Sequence, residues 1–310
     1  MDNFTPPDVV LPEHLDEPDR VGRLLGSGVS RQNPARAVIL GYPGDEGLRR
    51  CGARVGTSAA PAAIRRELYR LTSDGRDPRL AELLGRTQDL GDLPLSGDVE
   101  QDQNLLGAAL ARLFKADVIT ILLGGGQDAS YGHFLGHVNA RQNVSILSWD
   151  AQADVLPLRD GLAHRGSAFR QALTHSSQSC RMLTVAALQP HRTPSAHLDF
   201  VNSRGGRYYW RRGLDRPQIE ELYGGGEDRL MVSFDLGAVE QSQAPGVDPP
   251  CAGGLDASLW LHAAHQAGRA RHVASIDVVE CNPHLDPAGH TARLGALTVW
   301  RFLSGLAERY

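Results

Sequence analysis

Short runs of uninterrupted apolar residues recur along this chain, and they constrain the fold more than any other feature. Ala37-Val38-Ile39-Leu40-Gly41, Val118–Leu123, Val144–Trp149, Met182–Leu188, Leu230–Asp235 and His272–Val279 are each five to eight residues long. They are too short for ordinary helices and lack the polar alternation of a half-solvated strand, so they read as strands buried on both faces. Between them lie helical patterns at Pro61–Leu68, with proline in the first turn, and at Asn104–Lys115, Phe169–Thr174, Leu255–Ala267 and Thr291–Glu308. Buried strands alternating with helices predict an α/β fold, a three-layer α/β/α sandwich around a central, mainly parallel sheet. A chain of 310 residues suits one large domain or two smaller ones. No linker or internal repeat is visible, so residues 36–310 are expected to form a single domain, preceded by a polar, proline-containing arm at 1–35.

Composition excludes several classes of partner. A net charge of −4 gives no electrostatic reason to expect nucleic acid or an anionic membrane. No apolar stretch is long enough to span a bilayer. Met1–Pro7 has neither the basic nor the apolar region of a secretory leader, and the cysteines Cys51, Cys180, Cys251 and Cys281 form no CxxC pair. The expectation is a cytoplasmic protein with reduced thiols. Each cysteine reads as a small buried hydrophobe, with a nucleophilic role left open for Cys51 and Cys281.

In parallel sheets, ligands bind beyond the carboxyl ends of the strands. Here those ends carry Asp45, Gln127 with Asp128, Asp150 with Asp154, Asp235, and Glu280. A single aspartate there is more often a cap or turn residue. Three of them, Asp150, Asp154 and Asp235, point to a shared oxygen site for a hard divalent cation, manganese, magnesium or calcium. Gln127 and Gln152 stand where a transition-metal site favours imidazole. A rival reading comes from Gly124-Gly125-Gly126-Gln127-Asp128-Ala129, which fits a dinucleotide fingerprint with Asp150 about 20 residues on. The acids on the same rim favour a cation over a pyrophosphate.

At this point a resemblance emerges. Gly41-Tyr-Pro-Gly-Asp45-Glu46-Gly47 through Gly56, Asp89-Leu-Gly-Asp92, Gly124 through His133, Asp150-Ala-Gln152-Ala-Asp154, His164 through Gln171, Ser233-Phe-Asp235-Leu-Gly237, Ala244 through Val247, Asp277 through Pro283, and Thr291 through Leu294 occur in one order. Together they resemble the arginase/agmatinase (ureohydrolase) family, most of all its formimidoylglutamase branch, which acts in histidine degradation. The resemblance covers about Gly41 to Leu294. It implies an arginase-like sandwich, a pair of manganese ions, hydrolysis of a C–N bond in a linear amidine or guanidine, and assembly into homo-oligomers.

Carried over position by position, the first metal would see Gln127, Asp150, Asp154 and Asp235. The second would see Asp150, Gln152, Asp235 and Gly237. The resemblance implies histidine where this chain has Gln127 and Gln152, and aspartate where it has Gly237. One metal at the three aspartates and no second metal is therefore the expectation, with Gln152 a weak ligand. Among other positions, Glu280 is expected to hold the cationic nitrogen of the substrate, Arg54 its carboxylate, and Ser167 to lie in a substrate loop. Asp150 and His133 are expected to serve catalysis, His133 as a proton carrier. His164 is expected to be exposed, and His262 and His265 to have surface or packing roles. Without metal, the three close carboxylates would favour protonation or a cationic neighbour such as a nearby arginine. Two functional classes follow: a one-metal amidine hydrolase, or a non-catalytic relative that binds a cationic or zwitterionic small molecule.

Overall fold

The computed structural model describes residues 4–9, 11–226 and 228–310. Eight strands make one sheet: β1 (Ala37–Gly41), β2 (Thr87–Asp92), β3 (Ile119–Leu123), β4 (Val144–Trp149), β5 (Cys180–Leu188), β6 (Arg207–Trp210), β7 (Arg229–Asp235) and β8 (Val273–Val279). Their order is β2-β1-β3-β8-β7-β4-β5-β6, and every neighbouring pair is parallel. The six apolar runs are the six inner strands. The two that the sequence concealed, β2 and β6, are the edges, where Gln88, Asp89 and Arg207 interrupt the apolar pattern.

Successive residues of a strand face opposite ways, and the core divides accordingly. Ile39, Ile121, Leu147 and Phe234 pack with Ile64 and Leu68 of the helix Ala60–Arg70, Trp260 of Ala257–Arg269, and Val299 and Phe302 of His290–Ala307. On the other face, Val38, Leu40 and Leu122 meet Leu106, Leu110 and Phe114 of Val99–Lys115. Ile146 and Val185 meet Phe134 of Ala129–Asn139 and Phe169 of Ala168–Thr174. Burying one such phenylalanine contributes about 1.5–3 kcal/mol, and Phe302→Ala would cost about 3–5 kcal/mol. The buried Trp260 also needs a partner for its indole N–H, and donates to Thr298 Oγ1 at 2.7 Å.

Of the helices that depart from expectation, two do so for clear local reasons. Val99–Lys115 starts five residues before Asn104, because Asp98 accepts from the Gln101 amide at 2.9 Å and caps a polar first turn. Ala129–Asn139 is buried on nearly every side, so it lacks the amphipathic stripe that reveals a helix.

Residues 1–3 and 10 of the expected arm lie outside the described residues. Thr5 exchanges backbone hydrogen bonds with Asp92, both 2.8 Å, and so covers part of the β2 edge.

The strand order sets the site. Trp149 of β4 lies opposite Phe234 of β7, and Asp235 lies opposite Val279 of β8. Asp150, Asp235 and Glu280 therefore leave three neighbouring strands at nearly one level, about 4.8 Å apart from strand to strand. The turn after β3, next in the sheet, brings Gln127.

Candidate metal centre

One carboxylate oxygen from each of Asp150, Asp154 and Asp235 lies within 4.8 Å of the other two. These residues line a crevice with Glu280, Gln152, Arg165, Arg192, Gly237, Val247, Asp248 and Pro249. Asp154 and Glu280 hold φ values of 47° and 65°. That left-handed backbone costs a non-glycine residue about 1–3 kcal/mol, and such strain concentrates at functional sites.

The protein satisfies only part of this oxygen set. Asp150 Oδ1 accepts from the Gln152 amide at 2.9 Å, while its Oδ2 is buried without a partner. Asp235 Oδ1 accepts from the Gly237 amide at 2.6 Å. Gln127 donates its backbone N–H to Glu280 Oε1 at 2.7 Å, and its side-chain Nε2 to Ser130 and Ser233 at 2.9 and 3.0 Å. Its Oε1 is left buried and unpartnered. Buried polar atoms are rarely left so.

Burial and crowding perturb Asp150, Asp154 and Asp235. Burial, then Asp235 and Asp154, raise the Asp150 carboxyl well above the ordinary range. Burial, then Glu280 and Asp154, do the same to Asp235. Burial also raises Asp154, to about 6, against the opposing pull of Arg165. Burial works against the charge of Arg165, but Glu280 and Asp154 outweigh it and raise its pKa.

Oxygen donors alone, three of them carboxylates, fit a hard divalent cation and not a soft one. The unpartnered oxygens of Asp150 and Gln127 support that fit. The donors implied for a second ion are poorer. Gly237 supplies no side chain, and a Cβ there would meet Asp235 Oδ1 at 2.9 Å. The Oε1 of Gln152 faces Arg192 Nη2 at 3.5 Å.

The structure thus gathers Asp150, Asp154, Asp235, Glu280 and Gln152 around one crevice, with Gln127 attached to Glu280. Other expected site residues lie elsewhere. His133 is fully buried, its Nδ1 2.8 Å from Asp277 Oδ2, and does not line the crevice. Ser167 is buried and spent on local bonds, donating to His164 O at 2.7 Å and accepting from His164 N at 3.0 Å. Arg54 is engaged by Asp248, with Nε to Oδ1 at 2.9 Å, which leaves its guanidinium on the protein's own carboxylate. Asp45 serves the backbone of Gly56 and the hydroxyl of Ser58, both at 3.0 Å. Asp128 is buried outside the lining, and burial, then Glu280, raise its pKa to about 7. His164, expected to be exposed, is 97% buried by residue and bonded to Pro157 O at 3.0 Å, because its loop folds over it. His262 and His265 pair with Glu220 and Glu308 near the surface.

The dinucleotide reading fails on geometry. Gly124 N donates to Val278 O, Gly126 N to Gly44 O and Gln127 N to Glu280, so three of the amides a phosphate would use are spent. Gly125 is required for packing, since a Cβ there would lie 1.8 Å from Gly44 O.

Sequence reasoning did not single out Arg165 and Arg192. Arg165 Nη1 donates to Glu280 Oε2 at 2.8 Å. Its signal was available, because it adjoins His164 in a segment already marked by resemblance and a cationic neighbour was expected for the acids.

The chain is similar to known proteins over most of its length. The formimidoylglutamase of Geobacillus kaustophilus is 32% identical over 271 residues, covering 84% of this chain and 81% of its own. That of Nocardia farcinica is 28% identical over 280 residues, covering 87% of each chain. Among solved structures, the formiminoglutamase of Trypanosoma cruzi with Mn2+2 superposes with a TM-score of 0.84 at 28% identity, covering 93% of this chain and 98% of that one. The sequence model of the Arginase family matches residues 35–305, from the start of the first strand almost to the end of the last helix. By its sequence, its parallel sheet and the acids at the strand ends, this chain belongs to the arginase family.

Proposed function

We propose that the chain is a hydrolase of the formimidoylglutamase type, cleaving a C–N bond in a linear amidine or guanidine with one divalent ion. Asp150, Asp154 and Asp235 would hold that ion, with Gln127 contributing its amide oxygen. The observation that supports this most is the close set of three carboxylate oxygens, with Asp150 Oδ2 and Gln127 Oε1 both buried and left without a protein partner. Charge supports a single ion. With Asp150, Asp154, Asp235 and Glu280 ionised, and Arg165 and Arg192 cationic, the crevice carries two net negative charges once Asp248 is set against Arg54. One divalent cation neutralises it and a second would leave it positive.

When bound, the ion supplies a Lewis acid and favours ionisation of water near neutral pH. The chain's own residues bind and orient. Glu280, 97% buried, is the carboxylate for a cationic nitrogen of the substrate. Asp150 would serve catalysis through the ion, its Oδ2 being the oxygen the protein leaves free to hold it. His133 acts at a distance, holding Asp277, which accepts from Ser233 at 2.6 Å and from Ser130 at 3.0 Å beneath Gln127.

Elemental analysis after manganese loading, with assays on N-formimidoylglutamate, arginine, agmatine and guanidinobutyrate, tests this reading. About one manganese per chain and turnover of one of these substrates is the expected result. No turnover above a manganese-only blank defeats it. The Arg165–Glu280 pair favours a second reading, in which the crevice binds a small cation without catalysis. Retained ligand binding with no turnover would support that alternative.

A further inference from the structure

The crevice already contains a guanidinium, and it belongs to the chain. Glu280 has both oxygens engaged by protein donors: Oε1 by the Gln127 amide and Oε2 by Arg165 Nη1, at 2.7 and 2.8 Å. The same Arg165 nitrogen also donates to the Asp248 carbonyl. This placement is built by the loop. Arg165 opens a short 3-10 turn, Arg165–Ser167, whose two ends are closed by the reciprocal bonds of His164 and Ser167. His164 is fastened in turn to Pro157 O. The side chain of Arg165 is 18% exposed, so it lies at the boundary between crevice and solvent.

We infer that Arg165 is a specificity-determining residue that acts as an internal competitor: its guanidinium occupies the carboxylate that a cationic amidine or guanidine ligand would need. The inference rests on the reading of this crevice as an amidine site. A guanidinium and an amidinium both present N–H donors to a carboxylate. A ligand carrying either reaches Glu280 only by displacing Arg165. A tethered competitor is present at an effective concentration in the millimolar range or above. Each cationic ligand therefore binds about ten- to a hundredfold more weakly than the crevice would otherwise allow. Releasing Arg165 also leaves Glu280 for the ligand alone, so the penalty falls on cationic heads and not on neutral ones.

The test uses the full-length, manganese-loaded protein with guanidinium and acetamidinium chlorides at low millimolar concentration, read by calorimetry. Arg165→Gln is expected to bind both at least tenfold more tightly than the parent. Arg165→Lys, which keeps a cation on Glu280, should stay within a few-fold of the parent. The double variant Arg165→Gln with Glu280→Gln should lose the gain. Equal affinity in the parent and a folded Arg165→Gln protein overturns the inference. Arg165→Ser replaces Arg165→Gln if the latter does not fold. Independently of any variant, tight guanidinium binding by the parent (a Kd below about 0.1 mM, under the effective concentration of the tether) also overturns it. Manganese content and turnover are measured on the same samples. Loss of those alone defeats the proposed function, while the guanidinium comparison still decides the role of Arg165.

Discussion

The side-chain amide of Gln127 donates to Ser233 Oγ at 3.0 Å, and this bond fixes which end of the amide is left free. Ser233 and Ser130 both donate to Asp277, so each hydroxyl oxygen faces the Gln127 N–H as an acceptor. The consequence is a buried Oε1 without a protein partner. Gln127→Leu removes that oxygen and should weaken manganese binding by about tenfold or more, in the range found when groups supporting a metal site are lost. Ser233→Ala should weaken it less. Calorimetric titration with manganese gives both values, and an unchanged affinity in Gln127→Leu excludes the amide as a ligand.

The acids of the crevice make metal-free stability depend on pH. Burial, opposed by Arg165, raises Asp154 from 3.8 to about 6, and Asp150 and Asp235 also move upward. The folded chain then holds these protons more tightly than the unfolded one. The contribution of Asp154 is full below about pH 4 and is lost as pH rises through about 6, and those of Asp150 and Asp235 are likewise lost as pH rises. Manganese binds the ionised carboxylates, so its effect runs the other way. The rise in Tm on adding manganese should be larger at pH 7.5 than at pH 5. Asp235→Asn should flatten the pH dependence of the metal-free Tm. A larger manganese effect at pH 5 contradicts the assignment.

A second ion should be recoverable. Gln127→His, Gln152→His and Gly237→Asp together supply the donors that the ureohydrolase resemblance implies. Asp235 must turn slightly to admit them, because a Cβ at position 237 meets its Oδ1 at 2.9 Å. Manganese content should rise from about one to about two per chain. Two manganese ions in the parent would show that the present donors suffice.

Away from the crevice, Arg65 joins the helix Ala60–Arg70 to the edge strand β2. It is 99% buried, with Nε and Nη2 on Asp89 at 2.8 and 3.1 Å, and a further bond to Asp92. Arg65→Ala leaves Asp89 buried without its cation and should cost about 3–5 kcal/mol in denaturant unfolding. The double variant with Asp89→Asn should recover part of that loss. If the two losses simply add, the pair is not coupled.

Much of this protein was legible from local pattern. Uninterrupted apolar runs marked the six inner strands, since a strand covered on both faces has no polar side to display. The edges β2 and β6 escaped because their partly polar sequences satisfy solvent as well as a neighbour. The helix Ala129–Asn139 escaped because burial on nearly every side erases its periodicity.

The acids of the crevice were equally visible, because a strand end is a local feature and Asp150, Asp235 and Glu280 each follow or close an apolar run. Their meeting was not. It depends on the order β8-β7-β4, which pairs strands far apart in the chain and which hydrophobic burial across the whole sheet selects. The pairing of Arg165 with Glu280, 115 residues away, is of the same kind. Sequence determined which residues have the chemistry to bind a cation; only tertiary packing decided that one of the cations would be the chain's own.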